Sequence, residues 1–156
     1  FRVVYVFDIS QTDGEPLPPV PNWKSPEKNE ELNQKLIQFA KAQNIKVIFE
    51  DLNGDIQGVS KGGEIIIDPT AGTKTLIHEI AHELMHREID SILSREIKEL
   101  EAESVAYVVS RHFGIGNLNS PNYIVLNEAL ASEMFTQMDR IQKYANKILV
   151  AIELLS

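Results

Sequence analysis

Two histidines four positions apart, with a glutamate beside the first, form the run His78-Glu79-Ile80-Ala81-His82. On a helix, positions i and i+4 project from one face, so the two imidazoles can share a divalent metal ion. Glu79 can then reach a water in the metal's open position and accept its proton, the general-base role. Zinc makes this feasible by lowering the pKa of that water to about 7. The chain has no cysteine, which excludes disulfides, thiol nucleophiles and thiolate-ligated zinc. His, Asp and Glu remain as the strong metal-binding types.

A catalytic zinc needs a third protein ligand, and Glu99-Leu100-Glu101-Ala102-Glu103 offers three carboxylates on what reads as the next helix. Glu99 and Glu103 share a face. Glu101 sits about 200° round the helix from Glu99 and is expected to point to solvent or to the opposite side. The bland alternative is a solvated acidic stripe. Against it, Ala102, Val105, Ala106, Val108 and Val109 predict a mostly buried helix, which favours a metal or supporting role for the carboxylates. His86 lies one further turn beyond His82, and its spacing justifies no extra ligand, so a satisfied or exposed histidine is expected. His112 is expected to interact with the C-terminal dipole of its helix, and Tyr123 to pack rather than to donate to an oxyanion.

The elements that must position these residues follow from pattern. Leu76, Ile77, Ile80, Ala81 and Leu84 predict a helix from about Thr73 to Asp90 that buries one face and holds the histidine pair at a cleft. Arg95 to Phe113 predicts a second helix that Gly114 can cap. Near the C-terminus, Leu130, Met134, Met138, Ile141, Ala145, Ile148 and Ile152 form one apolar stripe of a long helix, read as core packing. The first half is mixed. Residues 1–9 read as a strand, and Gln11 to Pro26 as an extended loop carrying five of the seven prolines. Ser25-Pro26-Glu27 reads as a helix start with an end near Asn44. Lys46 to Glu50 and Glu64 to Asp68 read as strands, with Asn53-Gly54 as a tight turn.

The fold class is therefore α+β, with a mostly helical C-terminal half. A length of 156 residues with 43% hydrophobic content predicts a single domain over 1–156. The net charge of −8 repels phosphate backbones, so no nucleic acid is expected to bind this domain alone. No apolar run approaches the roughly 18 residues of a membrane helix. No membrane partner is expected, and a cytoplasmic location fits. A chain that opens on Phe1 reads as a fragment or a processed product.

The stretches Phe7-Asp8-Ile9-Ser10-Gln11-Thr12, Gly14-Glu15-Pro16-Leu17-Pro18, His78 to His82 and Glu99 to Tyr107 together resemble the ArdC-type zincin domain of antirestriction proteins, a relative of the ImmA/IrrE peptidases. The resemblance implies a zincin-like layout, a small twisted sheet packed on the HExxH helix, with an edge strand bordering the cleft; Glu64 to Asp68 is the candidate. By analogy with gluzincins it makes His78, His82 and Glu99 the metal ligands, Zn2+ the cofactor, Glu79 the catalytic base and Glu103 the supporting residue. Gly58, Gly62 and Gly63 would permit close approach or a mobile flap.

Two functions are open. One is hydrolysis of peptide bonds in a protein or peptide substrate, a regulatory or mobile-element-related partner. The other is a non-hydrolytic, zinc-stabilised protein-binding or antirestriction module. Glu79 favours the first, because a binder has no use for a general base.

Overall fold

Asn29 starts the first helix: its side chain accepts a hydrogen bond from the Leu32 amide at 3.0 Å, satisfying one of the free donors at the helix start. The computed structural model describes residues 27–87, 93–116 and 128–155, with side chains from 135 onward in the last stretch. The described elements are α1 (Glu30–Ala42), β1 (Lys46–Phe49), β2 (Gly58–Ser60), β3 (Glu64–Ile67), α2 (Thr73–His86), α3 (Arg95–His112) and α4 (Glu128–Glu153). The α+β class is thus observed. The strand and loop expected over residues 1–26 and the role expected for Tyr123 lie outside the described residues. So does the stretch of α2's expected span beyond Arg87.

The sheet has the order β1-β3-β2, with β1 parallel and β2 antiparallel to β3. This corrects the edge-strand expectation: Glu64 to Asp68 supplies the central strand, and the short β2, which carries no apolar alternation, is an edge among the described residues. The three consecutive isoleucines of β3 explain why. Ile65, Ile66 and Ile67 are all buried, so both faces of the strand are covered, as a central strand requires. The Asn53-Gly54 turn holds, with Gly54 at a φ of 76°.

β3 feeds α2 directly. Asp68 turns the chain by accepting the Thr70 amide at 2.8 Å, an arrangement Asp favours at such turns. The start of α2 is tied back to α1, where the Asn29 amide donates to the Thr73 hydroxyl at 2.8 Å. Leu76, Ile77, Ile80 and Ala81 are all at most 2% exposed and pack in one core with Leu36, Ala40, Ile65, Ile67, Val105 and Val109. α3 lies against both α2 and α4. It begins with Ser94, whose hydroxyl accepts from the Ile97 amide, and it ends before Gly114, at a φ of 75°.

Three helix expectations need correction. α1 begins at Glu30 rather than at Ser25-Pro26-Glu27, because Asn29 offers the capping oxygen. Val108 is exposed on α3, and Met138 is exposed on the α4 stripe, whose buried members among the described side chains are Ile141, Ala145, Ile148 and Ile152.

Candidate metal centre

α2 turns its buried apolar face to the core and leaves His78 and His82 half-buried, facing α3. Their Nε2 atoms stand 3.0 Å apart. Glu99 reaches the same point from the start of α3, its Oε2 lying 3.5 Å from His78 Nε2 and 3.6 Å from His82 Nε2. Together these are the one group of three metal-ligating side chains found among the described residues. In a tetrahedral zinc site with bonds of about 2.0–2.1 Å, neighbouring ligand atoms are about 3.3 Å apart. The observed triangle matches that spacing, and two imidazole nitrogens with a carboxylate oxygen are donors that zinc accepts. The residues present therefore fit a zinc ion.

The electrostatics agree with a site built for a cation. Contacts with both histidines hold the Glu99 carboxyl well below the usual carboxylate range. Burial alone would disfavour a charged His78 ring. The adjacent Glu103 and Glu99 carboxylates outweigh that burial and raise His78 to about 9.

Glu79 is buried, and burial pushes its carboxyl above the usual range, partly offset by His78 and His82. Its side chain lies against the first residue of β2: a Cβ added to Gly58 would stand 2.8 Å from Glu79 Cγ and Oε1. The missing side chain at Gly58 is thus what lets the edge strand and the glutamate come together.

Glu103 stands where a supporting residue should. Its Oε2 lies 3.3 Å from His78 Nδ1, and its other oxygen pairs with the buried Lys74. Such a partner on the far nitrogen fixes the ring's orientation and leaves Nε2 to a metal.

Glu101 takes the second of the two orientations expected for it. It does point away from Glu99's face, but into the protein: it is fully buried, 2.9 Å from His86 Nε2. His86 is the satisfied histidine of the two alternatives, also buried, with its Nδ1 3.1 Å from His82 Nδ1. Of the two orientations expected for Glu101, solvent is not the one observed, because α4 covers that side of α3 and supplies Arg140 to the carboxylate. His112 pairs with Glu153 of α4 at 2.9 Å.

Glu83 was not singled out by its sequence pattern, yet it is 3% exposed and accepts from Ser60 Oγ at 2.7 Å and from the Gly62 and Gly63 amides at 2.7 and 2.6 Å. These bonds pin the β2–β3 turn onto α2. Gly62 and Gly63, expected as part of a possible flap, are thereby fixed, with φ of 75° and 102°. Lys74 had a legible signal, since it precedes His78 by one helical turn. Arg140 had none.

An uncharacterized protein of Bacillus anthracis is 33% identical over 136 aligned positions, which span 70% of this chain and 23% of that protein. The chain therefore corresponds to less than a quarter of the length of that relative. No family model matches the chain, and no solved structure matches it.

Proposed function

We propose that this chain is a zinc-dependent metallopeptidase of the zincin type that cuts a peptide bond within a protein partner. The observation that carries the reading is the triangle of His78 Nε2, His82 Nε2 and Glu99 Oε2 with edges of 3.0, 3.5 and 3.6 Å, next to a buried Glu79. A zinc ion held there would polarise the scissile carbonyl and acidify the attacking water. Glu79 takes the water's proton and returns it to the leaving amine, and its burial-raised proton affinity suits both halves of that transfer.

His78 and His82 hold their rings from a rigid helix, which keeps the base and the ligands in fixed relation. β2, an edge strand among the described residues, begins against Glu79, and an extended peptide that adds to it would find main-chain partners beside the site. The likeness of His78 to His82 and Glu99 to Tyr107 to ArdC-type and ImmA/IrrE zincins supports the same reading and points to a regulatory or mobile-element-related substrate. The net charge of −8 favours a protein over a nucleic acid as partner. No described helix is long and apolar enough to cross a membrane.

The test is a proteome-derived peptide library incubated with zinc-loaded protein and read by labelling of new amino termini. New termini are expected with the wild type, and none after chelation or with Glu79→Gln. Equal cleavage by wild type and Glu79→Gln removes the assigned base.

A further inference from the structure

Behind His82 a line of buried polar side chains runs away from the cleft. His82 Nδ1 faces His86 Nδ1 at 3.1 Å, and His86 Nε2 faces Glu101 Oε2 at 2.9 Å. Glu101 Oε1 lies 2.9 Å from Arg140 Nε of α4, out of line for a hydrogen bond, so charge holds that last pair. Glu101 is 0% exposed and His86 is 6% exposed. A carboxylate so deep in a core is costly unless it is paired. Arg140 meets that need, and its Nη2 also donates to the Met85 carbonyl in the last turn of α2 at 3.4 Å.

We propose that His86, Glu101 and Arg140 are positioning residues that set the tautomer and orientation of His82, a role that rests on the zinc-centre reading above. The proton directions follow from the chain itself. An ionised Glu101 beside Arg140 only accepts, so the facing His86 Nε2 carries a proton. A neutral His86 then has a bare Nδ1. Two bare nitrogens 3.1 Å apart would repel, so His82 carries its proton on Nδ1 and donates it to His86. With a metal ion between His78, His82 and Glu99, that leaves the lone pair on His82 Nε2 for the metal. Arg140 therefore dictates, across two side chains, which nitrogen His82 presents to a metal. His78 is braced by a different and shorter arrangement, Glu103 with Lys74. The C-terminal helix, remote in sequence, thus becomes part of the centre.

The experiment combines zinc affinity, by competition with a chromophoric chelator, with 15N NMR of the histidine rings in the whole chain. His86→Phe should weaken zinc binding by the roughly 10- to 100-fold typical of lost partners behind a ligand. Arg140→Met, at a partly exposed site, should weaken it in the same direction. His86→Gln can accept from His82 and donate to Glu101, and should restore most of the affinity. The ring signals of the zinc-loaded wild type should show a His82 Nδ1 proton hydrogen-bonded to His86, and Arg140→Met should weaken that bond, which a merely structural role would not do. Zinc bound by wild type and by both His86→Phe and Arg140→Met within about two-fold overturns the positioning role alone. A zinc-loaded wild type whose His82 Nδ1 proton makes no hydrogen bond to His86 does the same. A wild type that takes up no zinc overturns the centre and the positioning role together.

Discussion

Gly58 and Glu79 occupy one space between them: a Cβ on Gly58 would come within 2.8 Å of both Cγ and Oε1 of the glutamate. β2, an edge strand among the described residues, can start beside Glu79 because Gly58 has no side chain. Gly58→Ala should therefore push the Glu79 carboxylate aside while leaving His78, His82 and Glu99 in place. Hydrolysis should fall by about 10- to 100-fold, the scale of an ångström-sized misplacement of a catalytic group, and zinc affinity should stay unchanged. Parallel turnover and zinc titrations check both halves. Loss of zinc together with turnover would show that Gly58 supports the ligands instead.

Glu83 holds the turn that sets β2 against α2, and it does so with one buried carboxylate and three donors. Glu83→Ala leaves the Gly62 and Gly63 amides without their acceptor. The expected cost is about 2–4 kcal/mol of stability, from charged hydrogen bonds that are individually worth about 1.5–3 kcal/mol and do not add fully. Hydrogen exchange at the Gly62 and Gly63 amides should quicken. Unchanged exchange and an unchanged melting temperature would contradict the clamp.

His78 makes the metal-free protein pH-dependent. Its folded pKa of about 9 lies above the ordinary 6.5, so the protonated ring favours the fold. That contribution is fully present below about pH 6.5 and is lost as the pH rises through about 9. Metal-free protein should melt at progressively lower temperature across that window. Zinc takes the place of the proton, so the zinc-loaded protein should show no such decline there. Thermal melts of both forms from pH 6 to 10 check the sign, and a metal-free form that gains stability with pH contradicts it.

Much of the centre was legible in one dimension because helical spacing is local. His78 and His82 share one face of their helix, and Glu99 and Glu103 share a face of the next, so periodicity alone brought these four toward one another. Which of two surroundings Glu101 meets was not legible, for a nonlocal reason. Its phase away from Glu99 was right, but whether that side meets water or protein depends on α4, which packs there through residues some forty positions later. β2 was missed because Gly58-Val59-Ser60 has no alternation to read; it is a strand only through its pairing with β3 and the Glu83 clamp. β3 was misread as an edge, although its three adjacent isoleucines are the pattern of a strand covered on both faces.

Zinc titration of metal-free wild type and Glu99→Ala tests the central claim most directly. His78, His82 and Glu99 converge on one point from two helices, so wild type should bind about one zinc per chain, as a three-ligand site does. Glu99→Ala should bind about 100-fold more weakly or worse, beyond the loss expected for a residue behind a ligand. A wild type without affinity for zinc, or a Glu99→Ala variant that binds zinc as tightly as wild type, would contradict the account.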